Sequence, residues 1–217
     1  MSIDLSLYLV TDSRLAARSG HDLVGLVRAA VDGGVTAVQI REKDAPAGVF
    51  LDTVLRVAEA LPERVGLIVN DRVDVFLAAR AAGARVAGVH IGQTDLPASA
   101  VRQLVGPRAV IGLSASTGEQ LRLAASDPAG VDYVGVGALH ETQTKKDAPP
   151  PLGLGGFARL VAESRLPAVA IGGVTRDDLA GLRAAGAAGA AIVSAICSAG
   201  DPGAAARELR AAWEARP

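Results

Sequence analysis

"DGGVTAVQI" occupies residues 32–40, and its shape returns three times, as "AAGARVAGVHI" (81–91), "PAGVDYVGVG" (128–137) and "AAGAAGAAIVS" (184–194). Each copy reads as a helix end, a glycine turn and a buried strand. Working outward, eight short apolar runs stand out: "LYLVTD" (7–12), "AVQIRE" (37–42), "VGLIVND" (65–71), "GVHIGQ" (88–93), "AVIGLSAS" (109–116), "YVGVGAL" (133–139), "AVAIGGV" (168–174) and "GAAIVSAI" (189–196). Most are rich in Val and Ile and too short for helices. Their near-continuous apolar character suits parallel strands covered on both faces. A unit recurring every ~20–35 residues marks a repeated βα element. Eight units predict one α/β domain over residues 1–217, a (β/α)8 TIM barrel. A doubly wound open sheet is the alternative, but "TDSRLAARSG" after the first strand is no nucleotide fingerprint.

The segments between the strands carry helix signals. "HDLVGLVRAAVDGG" has apolar residues at 23, 24, 27 and 31 and then a glycine stop. "DRVDVFLAARAAG" and "TRDDLAGLRAAG" start with polar or acidic residues and end at glycine, and Asp201-Pro202 is a cap and first-turn pair for the last helix. The irregular stretch "LHETQTKKDAPPPLGLGG", 139–156, is expected to be a lid over the site.

Composition narrows the function. Half of the 217 residues are hydrophobic, which argues against disorder. The net charge of −1 argues against a general nucleic-acid binder, although a local basic pocket stays open. The lone cysteine, Cys197, cannot form an internal disulfide and sits among Ala195, Ile196 and Ala199, which suits a small core residue. His21, His90 and His140 lack zinc spacing. No signal peptide or membrane span is read, so no membrane partner and a cytoplasmic location are expected. Homo-oligomer formation is left open.

In such a barrel the chemistry sits at the C-terminal ends of the strands. Those ends carry Thr11-Asp12, then Gln39, Arg41 and Lys43, then Asn70-Asp71, Gln93 and Asp95, Ser114, the loop at 142–145, Gly172-Gly173 and Ser194. Strand alternation puts Gln39, Arg41 and Lys43 on one face and Val38, Ile40 and Glu42 on the other. Asp71 and Asp95 follow neighbouring strands and suit a hard cation such as Mg²⁺. The competing reading is that each caps the next helix. Arg41, Lys43 and Lys145 could clamp an anion, or could be solvated surface charge. Gly172-Gly173 and Val193-Ser194 could hold a second phosphate through main-chain N–H groups, or the glycines could only turn the chain. His90 is expected to be a core histidine with one satisfied nitrogen. His140 is expected to be exposed in the loop, where it could act on substrate.

Taken together, "QIREKD", "IVNDRVD", "GVHIGQTDLP", "GLSAST", "YVGVG…ETQTKK…GL" and "AIGGVT" resemble the thiamine-phosphate synthase family, from Tyr8 to about Pro202. The resemblance implies an Mg²⁺-dependent transferase. It would join 4-amino-2-methyl-5-hydroxymethylpyrimidine pyrophosphate to 4-methyl-5-(2-phosphoethyl)thiazole, or its 2-carboxy form, and release pyrophosphate through a dissociative step. It implies that Gln39, Arg41, Lys43, Asn70, Ser114 and Lys145 face the pyrimidine pyrophosphate, with Arg41, Lys43, Ser114 and Lys145 catalytic. Ile40 and Glu42 join the substrate-binding set. Asp71 and Asp95 would hold the metal, and Thr142, Gln143, Thr144, Gly173, Val193 and Ser194 the thiazole phosphate.

The chain departs from the family pattern in three places. Ala138-Leu139-His140-Glu141 stands where proline and an aromatic residue are usual, Ser116 where histidine is frequent, and Thr94 where glutamate is common. Rival readings are a thiazole tautomerase on the same barrel, a non-catalytic barrel that binds a thiamine precursor, and another sugar-phosphate barrel enzyme. The strand 2–4 cluster favours the synthase.

Overall fold

The structure, a computed structural model, describes residues 3–142 and 150–215. Eight parallel strands close into a barrel in chain order. They are β1 (Leu7–Val10), β2 (Ala37–Ile40), β3 (Gly66–Asn70), β4 (Gly88–Ile91), β5 (Val110–Ser114), β6 (Tyr133–Val136), β7 (Ala168–Ala170) and β8 (Gly189–Ile192). The last strand returns to the first, with Leu7 opposite Ala190. All eight expected strands form, each from the apolar part of its run, while polar ends such as Asp12 and Arg41-Glu42 lie beyond the strands.

Continuous apolar runs still alternate. Tyr8 and Val10 join Ala37, Ile68, Val110, Tyr133, Val169 and Ala191 in the barrel interior. Leu7, Leu9, Val38, Ile40, Leu67 and Val69 turn outward and pack in a second, larger core under the helices. Both faces therefore leave water, as an all-parallel barrel requires.

The helices are α1 (Ser13–Arg18), α2 (Leu23–Asp32), α3 (Ala47–Ala60), α4 (Val73–Ala81), α5 (Ala98–Val105), α6 (Gly118–Ser126), α7 (Gly153–Glu163), α8 (Leu179–Ala184), α9 (Ser194–Cys197) and α10 (Pro202–Glu214). Asp12, Asp22 and Asp201 cap α1, α2 and α10 through their side chains, and Pro202 opens α10. The irregular stretch after β6 is shorter than expected, because α7 already begins at Gly153. Its middle, 143–149, lies outside the described residues, and so does the lid expected there.

Cys197 is fully buried, its Sγ 3.9 Å from the Val10 carbonyl, in keeping with a small core residue. Burial pushes its thiol up to about 11. Among the described residues no helix is long and apolar enough to cross a membrane.

Candidate active site

Asp71 follows β3 with φ at +57°, the one left-handed residue other than glycine among those described. Such a conformation is strained for most side chains and tolerated by Asp. Its N–H donates to the His90 carbonyl at 2.8 Å, extending the β3–β4 ladder past the strand end. The helix-cap reading fails for both acids. The cap of α4 is Arg72 and that of α5 is Pro97, neither with a side-chain capping bond. Asp95 instead accepts from the Gly92 N–H at 2.7 Å within its own loop. The Asp71 and Asp95 carboxyl groups lie within hydrogen-bonding reach of each other. Burial and the neighbouring Asp95 push the Asp71 carboxyl up to about 6, while Lys43 and Asn70 pull it down. Like-charged groups held together at the half-exposed mouth suit a cation between them.

The alternation expected through Lys43 stops at Ile40, where β2 ends. Gln39 is buried inside the barrel. Ile40 belongs to the outer core, so its side chain packs under the helices and only its main chain is near the rim. Arg41, Glu42 and Lys43 lie in the loop after β2, and the Arg41 N–H donates to the buried Thr11 hydroxyl at 3.1 Å. Glu42 accepts from Ser13 at 2.8 Å, toward the start of α1, and burial raises its carboxyl. It therefore braces the loop from the β1 side. Lys43 is exposed and close enough to Asp71 to act on its charge.

Sequence reasoning missed Tyr8 and Tyr133. Gln39 Nε2 donates to the Tyr8 hydroxyl at 2.8 Å, and the two phenol oxygens are 2.9 Å apart. The Tyr133 oxygen is 3.0 Å from His90 Nδ1, and His90 Nε2 is 3.0 Å from Ser114 Oγ. Both His90 nitrogens are thus engaged, not one. Gly112 leaves the room: a Cβ there would sit 2.5 Å from His90 Nδ1 and run into the Tyr133 ring. A glycine two residues before Ser114 on an inward-facing register was the available signal. Gln93 Nε2 adds a bond of 2.6 Å to the Ser114 carbonyl.

Across the rim the main chain dominates. Gly172 and Gly173 have φ of +91° and +67°. A Cβ on Gly172 would lie 2.8 Å from Ala138 Cβ, and one on Gly173 would lie 2.9 Å from the Glu141 carbonyl and His140 Cβ. The turn reading of this pair is therefore correct as far as it goes: the glycines admit residues 138–141. Leu139 and His140 donate their N–H groups to the Ile171 and Gly172 carbonyls, each at 2.9 Å. His140 is not a free loop histidine, because its Nε2 lies 2.8 Å from Asp178 Oδ1. Burial raises the Asp178 carboxyl, but hydrogen bonds with His140 and Thr175 outweigh it and hold the group below its ordinary value. Ser116 donates to the Gly137 carbonyl at 2.8 Å, steadying the same segment. Thr142 is described and half-buried, whereas Gln143, Thr144 and Lys145 lie outside the described residues. Val193 precedes the short helix α9, whose first residue is the exposed Ser194.

Comparison with known proteins identifies the family. Two curated relatives named thiamine-phosphate synthase are close in sequence. That of Azorhizobium caulinodans is 47% identical over 208 residues, covering 95% of this chain and 94% of the relative. That of Moorella thermoacetica is 42% identical over 205 residues, covering 94% and 93%. The solved thiamine phosphate pyrophosphorylase from Pyrococcus furiosus superposes with a TM-score of 0.84 at 33% identity, covering 97% of this chain and 96% of that one. A 3-hexulose-6-phosphate synthase structure at 20% identity and TM-score 0.68 shares the fold. Residues 7–196 match the family model described as thiamine monophosphate synthase, and the chain belongs to that family.

Proposed function

We propose that the two halves of the rim divide the two substrates of a thiamine-phosphate synthase. The β2–β5 side would take 4-amino-2-methyl-5-hydroxymethylpyrimidine pyrophosphate. The β6–β8 side would take the thiazole phosphate, in its plain or 2-carboxy form. One observation carries the reading: Asp71 and Asp95 meet at adjacent strand ends, and neither caps a helix.

Those two carboxylates fit Mg²⁺, which takes one or two carboxylates and fills its shell with water and phosphate oxygens. When bound, the ion would supply electrostatic stabilisation to phosphate oxygens that gain charge. Everything else falls to the chain's own groups. Arg41 and Lys43, with Lys145, hold the pyrophosphate, and their charge favours the negative charge that grows as its C–O bond breaks. The bonding pair leaves with pyrophosphate, and the aminopyrimidine ring delocalises the resulting cation. Gln39, Asn70 and Ser114 orient that ring so that the thiazole nitrogen attacks the freed carbon. Thr142, Gln143 and Thr144 with Gly173, Val193 and Ser194 hold the thiazole phosphate. A short helix following the last strand, beside the turn after β7, is where many barrels of this kind bind phosphate. No protein nucleophile is needed. The substrates are multiply charged phosphates and the one thiol is free, so the cytoplasm is the compartment proposed.

The test mixes purified protein, both substrates and Mg²⁺, then follows thiamine phosphate and pyrophosphate with an EDTA control. Metal-dependent appearance of both products supports the reading. A folded protein that binds thiazole phosphate yet forms neither product sinks it, and thiazole tautomerisation would be assayed next.

A further inference from the structure

The barrel interior holds one chain of side-chain hydrogen bonds, running Gln39–Tyr8–Tyr133–His90–Ser114. It draws on β2, β1, β6, β4 and β5 in turn. Tyr8 and Tyr133 are each 1% exposed, Gln39 3% and His90 8%. Its ends, Gln39 and Ser114, are both residues assigned above to the pyrimidine. Its middle has no other part in the reaction.

Each member of such a chain has a fixed supply of protons, so the chain has a sense. The Gln39 amide nitrogen can only donate, so the Tyr8 oxygen accepts. The Tyr8 proton then goes to the Tyr133 oxygen, and the Tyr133 proton to His90 Nδ1. His90 must carry its proton on Nε2 and donate it to Ser114 Oγ. The Ser114 proton is left to point outward. With the opposite sense and the same amide orientation, the Tyr8 proton would be buried without an acceptor, which leaves a donor desolvated and unpaired. Burial raises both phenol groups well above their ordinary range, so neither loses its proton near neutrality. The rings hold the chain in place: Tyr8 meets Tyr133 edge-on at 6.0 Å, and the His90 ring centre is 5.5 Å from that of Tyr133.

We propose that Tyr8, Tyr133 and His90 are positioning residues that fix the donor and acceptor sense of the mouth, and thereby select an aminopyrimidine over its 4-oxo counterpart. The chain leaves an acceptor, Gln39 Oε1, at one end and a donor, the Ser114 hydroxyl, at the other. A 4-aminopyrimidine offers the complement, an amino donor beside a ring-nitrogen acceptor. The 4-oxo ring offers a carbonyl acceptor beside an N–H donor, so both contacts become mismatched. The ligand identity rests on the function proposed above, but the proton arrangement does not.

Two measurements separate those levels. The first is long-range ¹H–¹⁵N NMR of the histidine rings in substrate-free protein, with His90 assigned through a His90→Asn variant. A protonated Nε2 and bare Nδ1 are expected. A protonated Nδ1 means that the chain runs the other way with the Gln39 amide reversed, and it overturns the proposal whatever the activity. The second compares kcat/KM for the 4-amino and 4-oxo pyrimidine pyrophosphates in wild type, Tyr8→Phe and Tyr133→Phe. Wild type should prefer the amino form by roughly 10²–10³-fold or more, and each variant should narrow the ratio by about tenfold. An unchanged ratio in both folded variants reduces the chain to packing and overturns the proposal. If neither pyrimidine gives product, the functional reading falls, and with it the choice of ring, while the NMR result stands alone.

Discussion

Between β2 and β4 the rim is built from side chains: two carboxylates in mutual reach, with an arginine and a lysine on the loop beside them. Between β6 and β8 it is built from main chain: a pair of left-handed glycines, the 138–142 segment hydrogen-bonded onto them, and a one-turn helix. The first half concentrates charge and should therefore respond to a counter-ion and to pH. The second depends on close approach and so on the absence of a few carbon atoms. A pyrophosphate that must leave suits charge that stabilises its departure. A phosphate that only anchors its ring suits neutral donors held at fixed positions.

The largest effect should come from the charged half. Asp71→Ala or Asp95→Ala should lower turnover by roughly 10²–10³-fold, as for loss of one strong transition-state stabiliser. Steady-state rates across an Mg²⁺ titration test this. Two variants with wild-type turnover and unchanged metal dependence would break the contrast.

The glycine half should respond in binding. In Gly173→Ala the new Cβ would crowd Glu141 and His140 and hold a left-handed conformation that costs about 1–2 kcal/mol. KM for thiazole phosphate should rise on the order of tenfold, while that for the pyrimidine substrate moves by less than about twofold. Equal rises in both would show that the halves do not act separately.

The halves should also differ in pH response. The Asp71 carboxyl is raised to about 6. Its protonated form is therefore favoured by folding, a stabilisation complete below the ordinary carboxylate range and lost as pH rises through about 6. In EDTA, Asp71→Asn should melt near the wild-type temperature at pH 4 and on the order of 2–4 °C above it at pH 7. Mg²⁺ should stabilise only the wild type at pH 7. A constant difference across that range would contradict the paired-carboxylate account.

The smallest expected response is at Cys197, beneath the β8 end. Fully buried, with its thiol pushed up to about 11, it should resist alkylation at pH 7.5 in the folded enzyme and react once the protein is unfolded. Mass spectrometry before and after denaturant shows which, and rapid native labelling would mean that α9 opens.

These two halves were not equally legible in the sequence. Charge following an apolar run is conspicuous, so Arg41, Lys43, Asp71 and Asp95 could be picked out as soon as the strands were. That the two acids cap no helix became visible only with the caps placed at Arg72 and Pro97. Alternation misled beyond Ile40, because β2 ends there while β3 runs on to Asn70, and the Arg41 N–H turns to the Thr11 hydroxyl instead of a ladder carbonyl. Gly172-Gly173 could be read as a turn, but the segment it admits lies some 35 residues earlier and has no local signature. The interior chain was least visible. Tyr8 and Tyr133 are 125 residues apart, and a phenol in an apolar run reads as core until its hydroxyl is seen to have a partner.

The order of the strands around the barrel bears on how the chain is made. Leu7 pairs with Ala190, so β1 keeps one open edge until the chain has been synthesised through β8. An unpaired strand of Leu, Tyr, Leu and Val is a template for association with other chains. Ring closure is also the longest-range contact, and the slowest to be reached by diffusion of the chain. The nascent protein therefore passes its most aggregation-prone interval late, with seven strands made and the eighth not yet in place. Its yield in a cell should depend more on how β8 docks than on how tightly either half of the rim binds its ligand.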